Sequence, residues 1–329
     1  MNTETSPADE PTPAPSSMKA LRAHRRGGPE QLVYEDAPTP VPADDEVCVR
    51  VSVAAITFDE LTWPATWERE GVDRTPVVPA HEFAGTVAQV GSRVTGLGVG
   101  DAVVGLVPFD RDGAAAELVV VPASSVARKP ASVSDAAAAA AVLPALTAQE
   151  ALTEHLHLTA GDSLLVLGAT GGVGSFVTQL AVRAGVDVVA AVRSDGDVAR
   201  AQQLGATTVV RADEGTPSLE RPVDAAVNAA GAETPAWLYT AVRPGGRLVT
   251  LQAPADSRLA ADAGVETDFF VVDAQHPDVQ GLVSLLAGGA LDVAVAQTFP
   301  LSEGARAYAS RGQGARPGKT LLLVAPADA

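Results

Sequence analysis

The sequence predicts a two-domain α/β protein, pairing a compact β-barrel-like domain with a doubly wound parallel sheet. Three observations predict it. From Met18 to about Lys129, short apolar segments are separated by Gly- and Pro-marked turns. From Ser134 onward, strand-like and helix-like segments alternate, as a parallel sheet with crossover helices requires. Within that second part the apolar run Leu164-Leu165-Val166-Leu167 ends in Gly168-Ala169-Thr170-Gly171-Gly172-Val173-Gly174, and a helical pattern follows from Ser175 to Ala184.

Residues 2–17 are rich in Pro, Ser, Thr and acids, show no apolar period, and read as a disordered tail. Met18–Ala23 is the first strand-like segment, followed by strands at Leu32–Glu35, Val47–Ala55, Phe83–Val90, Ala102–Leu106 and Ala116–Val121. Ser134-Asp135 caps an Ala-rich helix. Pro144 is expected to break it, leaving a second helix over Thr147–Leu156. Strands are then expected at Ser163–Gly168, Asp187–Val192, Thr207–Arg211, Val223–Ala229, Arg247–Gln252 and Phe269–Val272. Helices fall between them at Gly174–Ala184, Val198–Leu204 and Ala236–Val242, with a last one at Pro277–Ala287. Val293–Leu301 and Thr320–Val324 return to strand character and are expected to pair back into the first domain, making the parallel sheet an insertion.

Composition narrows the partners. The net charge is -17, which argues against nucleic acid and anionic membranes as partners and leaves a small-molecule substrate open. No run of apolar residues reaches the ~18 needed to span a bilayer. The N-terminus lacks a basic region followed by an apolar one, so no signal peptide is expected. Cys48 is the single cysteine; it excludes an internal disulfide, reads as a buried inert thiol, and suits a reducing cytoplasm.

A strand, a tight Gly-rich turn and a helix N-terminus together make a pyrophosphate site. The turn needs backbone angles that a Cβ forbids, and the main chain must come close enough for its N–H groups to reach phosphate oxygens. Ala169, Thr170, Gly171, Gly172, Val173 and Gly174 are therefore candidate cofactor-binding residues. The next strand ends in Arg193-Ser194. A guanidinium and a hydroxyl suit a ribose 2′-phosphate and hence NADPH. Asp195 follows at once and could instead serve a 2′-hydroxyl.

Several further motifs occur in order: Gly27-Gly28-Pro29-Glu30, Pro79-Ala80-His81-Glu82-Phe83-Ala84-Gly85, Gly98-Val99-Gly100-Asp101, Leu146-Thr147-Ala148, the glycine turn, Leu204-Gly205-Ala206, Pro244-Gly245-Gly246-Arg247 and Gly318-Lys319-Thr320. In this the chain resembles the medium-chain dehydrogenase/reductase superfamily, in its zinc-independent quinone oxidoreductase branch. The resemblance spans about Met18 to Val324. It implies a GroES-like β-barrel catalytic domain over 18–139 and 291–329, a Rossmann cofactor-binding domain over 140–290, and an active site in the cleft between them. It also implies NADPH-dependent reduction of quinones or α,β-unsaturated carbonyls, and a homodimer.

Zinc-bearing relatives use a Cys, the His of Gly-His-Glu, and a third Cys or Asp. Here those positions fall at Thr57, His81 and near Leu143. One imidazole does not make a three-ligand catalytic site, so no metal is expected. His81-Glu82 then reads as a hydrogen-bonded pair, with a catalytic role as the alternative.

Where some relatives carry a Tyr after the third strand, this chain has Phe58, and Tyr34, Tyr239 and Tyr308 lie elsewhere in the pattern. Thr57, Asp59 and Thr147 are the candidate catalytic residues: Thr57 to bond the substrate oxygen or the nicotinamide ribose, Asp59 to relay a proton, Thr147 to touch the cofactor from a helix that faces the cleft in this family. An exposed loop acid is the alternative for Asp59. Phe58, Trp63 and Trp67 are candidates to wall a flat substrate, or else packing residues. Asn228, Leu251, Phe269 and Phe270 are candidates for the nicotinamide end, with core or turn roles open. The competing functions are a natural-product tailoring enoyl or ketone reductase and a non-catalytic NADPH-binding protein.

Overall fold

The strand Glu46–Ile56 is β-branched or small at most positions and buried along both faces, so it can only sit at the centre of a sheet. It pairs antiparallel with Glu82–Val90 on one side. On the other side its first half pairs with Leu118–Pro122 and its second half with Lys319–Leu323. The computed structural model describes residues 16–212, 215–273, 279–311 and 317–324. In it, this seven-stranded sheet runs Val295–Pro300, Lys319–Leu323, Glu46–Ile56, Glu82–Val90, Ala102–Leu106 and Val126–Arg128, with Leu118–Pro122 off the path. Ser17–Ala23 and Leu32–Pro38 form a separate antiparallel pair. Most of the tail read from the sequence lies outside the described residues, but Ser17 already belongs to a strand.

The second sheet is six-stranded and wholly parallel, in the order Thr208–Arg211, Asp187–Val192, Ser163–Leu167, Val223–Asn228, Val242–Thr250, Glu266–Phe269. Its order reverses between Ser163–Leu167 and Val223–Asn228. That switch point opens a crevice at the carboxyl ends of the strands, where ligands of such sheets bind.

One helix joins the two halves. Ser134 caps it by accepting the Ala137 N–H, and it runs unbroken over Asp135–Glu150 before a π turn at Ala151–Leu156. Pro144 lies inside it, contrary to the expected break. Proline removes one N–H and crowds the preceding turn at a cost of about 3 kcal/mol, yet ten residues here, Pro144 among them, are buried, with the barrel strands on one side and the helices Gly172–Arg183 and Val279–Ala287 on the other. Tertiary packing outweighs the local cost. By length and composition Asp135–Leu156 could cross a membrane, but 67% of its most apolar window is buried inside the fold. A single core runs from Val53, Ala84 and Leu106 of the barrel through this helix to Leu164, Val166 and Val227 of the parallel sheet.

The last parallel strand is Glu266–Phe269, not Phe269–Val272. It is the sheet edge and exposed throughout, so nothing selects for apolar residues there.

Candidate active site

Three glycines of the turn differ in what they do. Gly168 has φ +81°, and a Cβ there would press on Ala230 and the Ala229 carbonyl carbon of the loop after Val223–Asn228. A Cβ on Gly174 would lie 2.1 Å from the Gly168 carbonyl oxygen. Both are glycines because the chain packs against itself. Gly172 opens the helix Gly172–Arg183, has no positive φ, and a Cβ there would meet nothing within 4 Å. Ala169 is fully buried beneath the turn, so it packs instead of facing a ligand. Val173 packs partly into the core. The Thr170 hydroxyl donates to Asp197 at 2.8 Å.

The neighbouring strand end supplies the charges. Ser194 caps the helix Asp195–Gln203 and donates to Asp197 at 2.6 Å. Arg193 is exposed, and its carbonyl accepts from Arg211. Arg211 also pairs with Asp195 at 2.5 Å. Arg211, one strand further on, brings a second guanidinium beside Arg193, and the local sequence gave no reason to look for it.

The ring-end candidates are mostly committed to the protein. Asn228 is 1% exposed; its amide donates to Gly231, Glu233 and Thr234, and its oxygen accepts from the Ala230 N–H. It shapes the loop facing Gly168. Leu251 packs partly into the core. Phe270 stacks on His155 at 4.2 Å, and Phe269 is 36% exposed at the sheet edge. Thr147 sits mid-helix with its hydroxyl on the Leu143 carbonyl, not at a helix start.

The barrel holds a buried polar cluster drawn from four parts of the chain. Thr57 donates to Glu82 at 3.1 Å and accepts from Lys319 at 2.9 Å, and Lys319 also donates to Glu82. Glu82 is 1% exposed and lies beside the Leu143 backbone; burial pushes its carboxyl up. Glu60 is also 1% exposed and accepts from the Tyr308 hydroxyl at 2.6 Å, the Thr57 N–H at 3.1 Å and the Ala80 N–H at 2.9 Å. Burial outweighs those donors and pushes Glu60 up to about 7. Burial and the Glu60 carboxyl hold the Tyr308 phenol protonated. Tyr308 therefore belongs to the site, although its place in the sequence pattern put it elsewhere.

His81 is the exception in this cluster. It is 3% exposed, and neither ring nitrogen completes a hydrogen bond. Nε2 stands 3.7 Å from Glu60 Oε2, and burial pushes the imidazole down to about 4. His81 and Glu82 are thus not the bonded pair expected from sequence; Glu82 turns to Lys319. Ala80, just before, has φ +67°. That left-handed backbone is one glycine adopts without strain and alanine does not.

Trp63 and Phe109 meet edge to face at 5.3 Å, and the Phe109 ring lies 5.2 Å from His81. Phe58 packs partly into the barrel core. Trp67 is 2% exposed with its indole N–H on the Leu61 carbonyl, so it is core and not a cleft wall. Asp59 is tied to Arg311 on the surface, away from the buried cluster.

The three positions at which the resemblance would seat zinc ligands hold a hydroxyl already bonded twice, one imidazole, and Leu143. An ammonium, Lys319, sits among the carboxyls. Among the described residues no group of three or more His, Cys, Asp or Glu could hold a metal ion. This donor set does not fit a tetrahedral zinc.

Residues 43–131 match the alcohol dehydrogenase GroES-like domain and residues 204–322 the zinc-binding dehydrogenase domain. The chain belongs to the medium-chain dehydrogenase/reductase superfamily. It is 29% identical over 332 residues to a quinone oxidoreductase from Pseudomonas aeruginosa, covering 93% of this chain and 99% of that one. It is 36% identical over 204 residues to 2-methylene-furan-3-one reductase from Solanum lycopersicum, covering 60% of this chain and 52% of that protein. A mycobacterial structure complexed with NADPH superposes with a TM-score of 0.80 at 27% identity, covering 94% of this chain and 100% of that one. Like its superfamily relatives, this medium-chain dehydrogenase/reductase is an oxidoreductase with a GroES-like domain and a Rossmann-like parallel sheet.

Proposed function

We propose that this chain is an NADPH-dependent reductase that delivers hydride to quinones or α,β-unsaturated carbonyls without a metal. Gly172 carries the reading. Neither backbone angle nor packing within the chain calls for glycine there, and the empty space over the helix N-terminus suits the close approach of a pyrophosphate. When bound, the nicotinamide supplies the hydride. The chain's own residues bind and orient: N–H groups of the turn hold the diphosphate, and Arg193 with Arg211 faces the 2′-phosphate. The residues at the zinc positions support metal-free chemistry, in which stabilisation of the acceptor's developing charge falls to fixed dipoles and hydrogen bonds. The relatives named quinone oxidoreductase and 2-methylene-furan-3-one reductase support these acceptors. The same reading includes a cytoplasmic homodimer, for which the exposed edge strand Glu266–Phe269 offers a pairing edge.

The test is a cofactor titration followed by turnover. NADPH is expected to bind more tightly than NADH, and Arg193→Ala to weaken NADPH by about tenfold, the loss of one charge-assisted contact, while leaving NADH unchanged. Equal affinities in the wild type would remove the 2′-phosphate assignment. NADPH binding without oxidation across a panel of quinones and enones would favour a non-catalytic binder.

A further inference from the structure

One carboxylate joins two parts of the candidate cofactor site. Asp197 lies in the first turn of the helix Asp195–Gln203, which follows the strand Asp187–Val192. Its Oδ1 accepts from the Thr170 hydroxyl of the glycine turn at 2.8 Å, and its Oδ2 from the Ser194 hydroxyl at 2.6 Å. Its own N–H donates back to Ser194 Oγ at 3.2 Å. Each hydroxyl has a single proton, and Asp197 holds both. Ser194 keeps one lone pair. That lone pair can accept from a ribose 2′-hydroxyl, but the hydroxyl has nothing left to donate to a 2′-phosphate. The charges are matched as well. Arg193 and Arg211 bring two guanidiniums to this end of the sheet, and Asp195 and Asp197 bring two carboxylates. Arg211 is already paired with Asp195. Thr170 and Asp197 are both half-buried, so this carboxylate is screened less than the exposed Asp195.

We propose that Asp197 is a specificity-determining residue for the cofactor: it takes the hydroxyl protons of Thr170 and Ser194 and offsets the charge of Arg193 and Arg211, so that the preference for NADPH stays small and NADH binds too. The inference deepens the reductase reading above and rests on it. Two modes of recognition share one strand end. NADPH meets the guanidiniums, which fork onto phosphate oxygens. NADH meets Ser194, whose hydroxyl accepts from the ribose. The Asp197 carboxylate favours the second mode twice. It holds the Ser194 proton, and it repels an added phosphate that carries about −1.5 to −2 charges at pH 7. The helix N-terminus pulls the other way with roughly half a positive charge, and the two acids in its first turn outweigh it.

Fluorescence titration of the full chain with NADPH and with NADH tests this without turnover. Asp197→Asn removes the charge and keeps an oxygen for the hydroxyls. It is expected to raise the ratio of NADPH to NADH affinity by about tenfold, as for removal of one charge near the added phosphate. Asp197→Glu keeps the charge and should hold the ratio near the wild-type value. Raising salt from about 20 mM to about 500 mM should lower the ratio severalfold in Asp197→Asn, where two guanidiniums face one carboxylate, and not in the wild type. An Asp197→Asn ratio equal to that of the wild type overturns the inference, as does a wild-type ratio that falls severalfold with salt. A ratio raised equally in Asp197→Glu overturns it too, since geometry and not charge then decides. A wild type that binds neither cofactor overturns the reductase reading itself, whereas binding of both with an unmoved ratio overturns only the role of Asp197. If Asp197→Asn does not fold, the wild-type salt series and Asp197→Glu decide.

Discussion

The glycine turn and the buried barrel cluster solve opposite problems. At the turn, seven consecutive residues place a row of main-chain donors, and side chains matter mainly by being absent. In the barrel, side chains make the arrangement, and they come from residues 57–60, 81–82, 308 and 319, whose contacts span as many as 262 positions. The first arrangement depends on local backbone geometry. The second depends on the whole barrel closing. Damage to the turn should therefore be steric and independent of pH, whereas damage to the cluster should be electrostatic and felt as pH-dependent stability.

The largest effect expected is at the turn. Gly174→Ala forces a Cβ to within 2.1 Å of the Gly168 carbonyl oxygen. Moving main chain to relieve that contact should cost about 3 kcal/mol, read from urea unfolding. A fully stable Gly174→Ala would break the contrast between the two regions.

The cluster makes a subtler prediction of about the same size. Glu60 is raised from 4.5 to about 7, so the folded state holds its proton where the unfolded state has lost it. Its contribution is undiminished below pH 4.5 and is lost as pH rises to about 7. His81 is lowered from 6.5 to about 4, so its contribution runs the other way: undiminished above 6.5 and lost as pH falls to about 4. Each window is worth about 3 kcal/mol, and between about pH 4.5 and 6.5 the two slopes cancel. The wild type should look flat there. His81→Leu should expose a decline in stability from pH 4.5 to 7, and Glu60→Gln a rise from pH 4 to 6.5, both measurable by urea unfolding across pH. Parallel curves for the two variants would show that the pair is not opposed.

Gly172→Ala sharpens the comparison from the cofactor side. The new methyl meets no protein atom, so the fold should gain up to about 1 kcal/mol from helix propensity. Cofactor affinity should fall about tenfold, equivalent to about 1.4 kcal/mol. Fluorescence titration and thermal unfolding of one sample give both numbers. The smallest effect belongs to Ala80→Gly, which relieves φ +67° and should stabilise by about 1 kcal/mol. That gain in the urea midpoint would show that the barrel carries backbone strain next to His81.

This contrast also explains what could be read from the chain. The strand, turn and helix around Gly168–Gly174 were legible because every determinant lies within a dozen residues. Asp187–Val192 and Ala102–Leu106 were placed to the residue for the same reason. Pro144 is tolerated because the helix is held by barrel strands and by two helices of the parallel-sheet half that no local window contains. Phe269–Val272 misled because an apolar run was taken for the strand, while the observed edge strand Glu266–Phe269 is exposed and needs none. In the site, Thr57 was recognised, but Glu60, Tyr308 and Lys319 were not, since only the folded barrel brings them together. Trp67 and Trp63 are equally aromatic in sequence; Trp67 is buried with its indole N–H on the Leu61 carbonyl, while Trp63 stays half-buried.

Lys319 follows Glu82 by 237 residues, yet the two share one buried ion pair. Translation at 5–20 residues per second separates their appearance by roughly 10–50 s. For that interval the early barrel strands carry a carboxyl whose counter-charge has not been made, and the central strand lacks the neighbour that covers half of one edge. The lobe synthesised first is therefore the last to be completed, and a nascent chain stalled in the parallel-sheet region would expose sticky, unfinished barrel to chaperones and proteases.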